Sequence, residues 1–231
     1  MDINQCKIFF DDLLNKYQVG GYVSPEQFDL YAGQAQYELY VERMGNPNTL
    51  AQGTGTPREG LALSSTISDD LKVFLTRANI NMSDVPNTPY MEGLFPSDYY
   101  YYDSSRVLLG NSLNPVKVID EDKFNGRVIS KIVPPTNEFP IGLIIGNKIQ
   151  IAPKNVYVVN MSYYRKPVAP VWNYTLNGSG YPVYNSTGSV DFELPDNTHN
   201  EIIMKMLKYM GITLREGEIY QMSQAQDNQG V

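Results

Sequence analysis

The side chains best suited to chemistry in this 231-residue chain are few and badly spaced for it. Histidine is the usual general base near neutral pH, and the sequence holds one, His199. It falls in the first turn of an expected C-terminal helix, a place that suits a surface or capping role. A thiol nucleophile would have to be the single cysteine, Cys6. Ile3, Cys6, Phe10, Leu13, Leu14 and Tyr17 recur at three- and four-residue steps. Cys6 is therefore expected on the apolar face of a helix, as a small buried hydrophobe. One Cys and one His leave too few soft ligands for zinc. Asp120-Glu121-Asp122 could attract a divalent ion, yet adjacent acids ahead of a helix more simply favour its N-terminus. Asp11-Asp12 and Asp69-Asp70 read as helix-surface pairs by the same logic. Gly53-Thr54-Gly55-Thr56 lacks the Lys-Ser/Thr of a phosphate loop, and Gly178-Ser179-Gly180 lies inside a hairpin. No catalytic, cofactor-binding or metal-ligating residue is nominated, and no cofactor is expected. A carboxylate pair assembled only by folding, as glycoside hydrolysis uses, stays open as an alternative.

The elements that would position these residues read as α+β: a helical body from the N- and C-terminal helices, with a β-rich middle insertion. Val23-Ser24-Pro25-Glu26-Gln27-Phe28 carries a capping box, a proline at the first helical position and the two ends of a hydrophobic staple. Phe28, Tyr31, Ala32, Ala35 and Leu39 continue one stripe until Gly45-Asn46-Pro47 stops it. Residues 46–63, rich in Gly, Pro, Thr and Asn, read as a long loop. Ser68 then caps an expected helix through Leu71, Phe74, Leu75 and Ala78, and Tyr99–Tyr102 form an extended segment. Short strands are expected at Val107–Leu109 and Val116–Val118, and helical turns after Asp120 through Phe124, Val128 and Ile132. Two β-branched runs about Gly146-Asn147 predict a hairpin. Tyr157, Val159, Met161 and Tyr163 predict one apolar face of a strand, and Trp172–Val183 a second hairpin around Asn177-Gly178. Thr198 and Glu201 have capping-box spacing before the stripe Ile202, Ile203, Met206, Leu207, Met210, and Thr213 and Glu216 repeat it. The expected division is a body of residues 1–103 and 191–231, with residues 104–190 as the insertion.

Composition narrows the partners. A formal net charge of −7 and the absence of a basic stripe argue against a surface that grips nucleic acid through its phosphates. One cysteine excludes an internal disulfide framework and fits assembly in a reducing cytoplasm. No basic n-region opens the chain, and no apolar run approaches the ~20 residues that span a bilayer. The 18 Tyr, against 8 Phe and 1 Trp, suit half-buried sites and subunit contacts, because the ring buries area while the hydroxyl keeps a polar partner.

Several segments, taken in order, resemble a known family. They are the N-terminal helix pair, Ser68-Asp69-Asp70-Leu71, Phe95-Pro96-Ser97-Asp98-Tyr99-Tyr100 and Ile149-Gln150-Ile151-Ala152-Pro153. Val159-Asn160-Met161-Ser162-Tyr163-Tyr164-Arg165-Lys166-Pro167 and Glu193-Leu194-Pro195-Asp196 follow. The set is similar to the head–tail connector (adaptor and ring) proteins of short-tailed phages, above all to the ring proteins of crAss-like phages of gut Bacteroidetes. The resemblance runs from about residue 1 to 226. It implies a virion structural protein of the neck or tail region: one subunit of a roughly twelve-fold ring, assembled in the host cytoplasm. That ring would dock on the portal, meet other tail or ring proteins, and extend a channel through which genomic DNA slides without sequence-specific binding. Its C-terminal region would attach to the portal, which makes Gln221, Gln224, Gln226, Asn228 and Gln229 the candidate portal contact. An acidic chain suits such a channel. The alternative class is a carbohydrate-binding or tail-fibre-type module built on Trp172 and the tyrosines of residues 172–184.

Overall fold

A computed structural model describes residues 1–17, 22–45, 71–109 and 112–210. The expected loop at 46–63, the runs at Gly53–Thr56 and Ser68–Asp70, the Thr213–Glu216 spacing and the candidate portal contact Gln221–Gln229 lie outside them. Among the described residues the chain is mixed α and β, with four α-helices and eleven strands in three sheets. It divides into two compact units, one of residues 1–73 with 167–231, the other of residues 74–166.

In the first unit, α1 spans Ile3–Tyr17 and α2 spans Pro25–Arg43. The capping box at α2 forms as the sequence predicts: the Gln27 amide donates to Ser24 Oγ, and the Gln27 side chain accepts from the Ser24 amide. Val23 and Phe28, the two ends of the staple, are both buried. Gly45, at φ 80°, supplies the left-handed residue after the last turn. Phe10 of α1 meets Phe28 edge to face, with centroids 5.7 Å apart. The last described helix, α4 (His199–Tyr209), buries Ile202, Ile203, Met206 and Leu207. Arg43 reaches Glu201 at 2.9 Å, and Lys205 reaches Glu42 at 2.7 Å and Glu38 at 3.1 Å, tying α4 to α2 along its polar edge. The Tyr209 hydroxyl donates to the Glu38 carboxylate. The predicted capping box at Thr198 does not form. Thr198 Oγ1 donates to the Pro195 carbonyl inside a 3₁₀ turn, and Glu201 is already paired with Arg43. A two-stranded ribbon completes the unit, β10 (Tyr174–Leu176) against β11 (Pro182–Tyr184), extended by a Val171–Val190 bridge.

In the second unit, two sheets share one core. One sheet has the order β1-β9-β4-β5, from β1 (Leu75–Asn81), β9 (Val158–Arg165), β4 (Tyr99–Leu109) and β5 (Ser112–Pro115). The other has the order β2-β3-β8-β7-β6, from β2 (Ser83–Asp84), β3 (Met91–Leu94), β8 (Lys148–Ala152), β7 (Ile141–Ile145) and β6 (Lys117–Val118). Ile80, Val107, Val159 and Met161 from the first sheet pack with Met91, Ile149 and Ile151 from the second. On the far face of the second sheet, α3 (Glu121–Val128) lays Phe124 onto Ile141, Leu143 and Ala152. Both faces of β7 are therefore covered, so Ile141, Gly142 and Leu143 are buried in succession. The β7–β8 turn puts Gly146 at φ 58° and leaves Asn147 at negative φ, as a type II′ hairpin requires.

Four sequence expectations change here. Leu75 and Ala78 lie on β1, paired antiparallel with β9, and not on a helix. Tyr157 precedes β9 and is exposed, while Val159, Met161 and Tyr163 form the buried face. Tyr99–Tyr102 and Val107–Leu109 are one long strand. The boundaries fall at 73/74 and 166/167, where the sequence reading put 103/104 and 190/191. The reason is pairing: β1, β3 and the start of β4 are hydrogen-bonded into the sheets, whereas the 171–190 ribbon packs with α1 and α2.

Candidate functional site

The structure brings Cys6 and His199 together, 193 residues apart in sequence. Cys6 Sγ lies 4.0 Å from His199 Nδ1, and both side chains are buried. His199 Nε2 sits 3.1 Å from the Leu194 carbonyl oxygen. A carbonyl only accepts, so Nε2 carries the proton and Nδ1 faces the thiol as an acceptor. Burial pushes the Cys6 thiol up to about 11, and burial holds the His199 imidazole below its ordinary value. A thiolate–imidazolium nucleophile needs the opposite shift of each. The pair is neutral and closes the packing between α1 and the start of α4. Cys6 thus takes the place its spacing predicts. His199 does not, because it is a core residue and not a surface or capping one. The signal was present in the sequence: His199, Ile202, Ile203 and Met206 form one helical stripe.

Carboxylates in the first unit are likewise engaged with structure. Asp29 accepts from the Trp172 amide at 2.7 Å, and burial raises its pKa. Glu26 accepts from the Tyr174 hydroxyl, which lowers its pKa. The ribbon's hydrogen bonds lower the pKa of both carboxylates, and at Asp29 burial outweighs them; neither carboxylate lines either of the two grooves described below. Trp172 itself is only 7% exposed. Its indole nitrogen donates to Asn4 at 3.1 Å, Lys7 lies over its ring at 5.6 Å, and Tyr174 and Tyr184 pack against it. Trp172 is spent on attaching the ribbon, so it offers no open face for a sugar.

Asp120-Glu121-Asp122 stands at the start of α3, where Asp120 is the N-cap residue and pairs with Lys123 at 3.3 Å. Among the described residues no group of three His, Cys, Asp or Glu is placed to hold a metal ion, and no helix is long and apolar enough to cross a membrane.

What stands out is a surface of the second unit that no sequence motif announced. After α3 the chain runs through Ile129, Ile132, Val133 and Phe139, with exposures of 80, 91, 53 and 70%. Four large apolar side chains in eleven residues is an unusual presentation to water. Hydrogen bonds fix the segment. Ser130 Oγ accepts from the amides of Ile132 and Val133, Thr136 accepts from the Phe139 amide, and Asn114 donates to the Asn137 carbonyl. Beside it a groove of about 390 Å³ has Ile119 and Gly126 as its apolar part and Lys117, Lys123 and Arg127 around it. A second groove, of about 520 Å³, runs along β1 and β3 past Asn79, Glu92 and Pro96. Charge divides with the fold. Residues 74–166 hold ten Lys and Arg against eight Asp and Glu, a net +2, while the remainder holds eight against seventeen, a net −9. Compared with known protein families and with curated proteins, the sequence matches none.

Proposed function

We propose that this chain is a virion structural protein, one subunit of the connector ring that joins a phage portal to the tail. The observation that carries the reading is the separation of the chain into two bodies of opposite net charge, +2 and −9. A ring closes through heterologous contacts, in which each subunit presents two different, complementary patches. Two bodies of opposite sign give such a pair at once, and the fixed apolar segment at Ile129–Phe139 adds a dry element to one of them. In this reading the terminal helices form the helical body and the β-rich unit is its insertion. Gln221, Gln224, Gln226, Asn228 and Gln229 are the contact to the portal, and DNA passes through a channel that need not hold it. The sequence resemblance supplies the identity of the assembly, and the charge division supports a subunit that works by contact. The test is genetic. Phage particles lacking the chain should fill their heads, fail to join tails and lose DNA, and the purified chain should restore tail joining in vitro. Infectious particles made without it would remove the proposal.

A further inference from the structure

We infer that the Ile129–Phe139 segment and the adjoining groove are one half of a subunit–subunit interface, and that their occupant is an acidic surface of a second copy of this chain. The inference rests on the connector reading for its biological setting, but its argument is local to the second unit. The segment exposes four large apolar side chains, and Ser130 Oγ accepts from the Ile132 and Val133 amides in the turn that presents them. The groove beside it joins an apolar floor to a cationic margin of Lys117, Lys123 and Arg127. The partner must therefore be acidic with apolar residues among its acids. This chain supplies such a surface: the described part of its first unit holds eleven Asp and Glu, of which Asp12, Glu26 and Glu42 are exposed on α1 and α2. On that unit Ile8 and Phe9 are exposed on α1 beside Asp12, and Leu30 and Tyr37 on α2. The complementary charge commits the choice to a second copy and against a polyanion such as DNA, which would meet the same cations but leave the apolar segment in water.

The experiment is sedimentation velocity on the full chain over a range of concentrations, at about 0.05 M and about 0.5 M salt. Three variants are compared with the wild type. They are Ile132→Asp with Phe139→Asp, Lys123→Glu with Arg127→Glu, and Gly126→Leu, which fills a groove where an added Cβ meets nothing within 4 Å. Ile132, Phe139, Lys123 and Gly126 are exposed and Arg127 is half-buried, and unchanged far-UV circular dichroism and melting will show that the variants fold. The wild type should self-associate, more weakly at high salt, and each variant should weaken association by about tenfold or more. A wild type that stays monomeric, or association that none of the variants reduces, would overturn the inference. So would binding of a labelled DNA duplex that Arg127→Glu abolishes while self-association persists. Capture by portal rings is read on the same samples. Association through this surface without portal capture would remove the connector reading and leave the interface standing; portal capture with association indifferent to the variants would do the reverse.

Discussion

Replacing Gly93 by alanine tests the packing of the second unit. Gly93 lies on β3 opposite Ile149, under the edge of β1. A Cβ built there falls 2.4 Å from Ile80 Cγ2 and 2.7 Å from Met82 Sδ, well inside any tolerated contact. The Met82 side chain is flexible and can turn away. Ile80 cannot, since it is 3% exposed, β-branched, and fixed by the pairing of its strand with β9 at Val159. Overpacking of this kind costs about 1–3 kcal/mol. Ile80→Ala alone should cost about 2–5 kcal/mol through the cavity it leaves. In the double variant the new methyl enters that cavity, so the two losses should fall short of their sum by about 1 kcal/mol or more. Urea unfolding followed by circular dichroism, with unchanged m-values, measures all three. A Gly93→Ala protein as stable as wild type, or a strictly additive double variant, would refute the close approach of β1 and β3.

Three further outcomes follow from the first unit. Cys6, with its thiol pushed up to about 11, should resist an aromatic disulfide reagent at pH 8 and react only once urea unfolds the chain; rapid native labelling would place it off the buried face. The His199 imidazole is held below its ordinary 6.5 by burial, although Asp196 and Asp191 nearby oppose the shift and the N-terminal amine adds to it. The folded state therefore binds fewer protons than the unfolded state below about pH 6.5, so stability should be full above that value and fall as pH drops towards the folded pKa. His199→Gln should flatten urea midpoints over that window, and a slope unchanged by it would contradict the assignment. Leu39→Asp on α2 and Ile203→Asp on α4 each bury an unpaired carboxylate, at a cost of about 3–5 kcal/mol, and should abolish the cooperative unfolding seen by Trp172 fluorescence.

What was legible in the sequence is what local physics decides. Ser24 and Gln27 form their box because both partners lie within one turn, and Gly146-Asn147 turns because glycine alone accepts its φ freely. What was not legible depends on distant partners. Leu71, Phe74, Leu75 and Ala78 have helical spacing, yet Ala78 and Ile80 also alternate, and pairing with β9 chooses the strand. Thr198 and Glu201 have the right spacing for a cap, but Arg43, from a helix 158 residues away, takes the glutamate. The interaction surface was hidden for a related reason. Ile132 reads as a third member of the face of Phe124 and Val128, whereas α3 ends at Val128 and leaves Ile132 in water. The opposite charges of the two units were always countable, but only with boundaries at 73/74 and 166/167 in hand.

The most direct test of the proposed connector role is electron microscopy of the full chain incubated with purified phage portal rings. Class averages should show an added ring of uniform symmetry on the tail-facing side of the portal, lost when the chain is truncated after Gln221. Portal rings that stay bare at saturating concentrations of the chain would contradict the account.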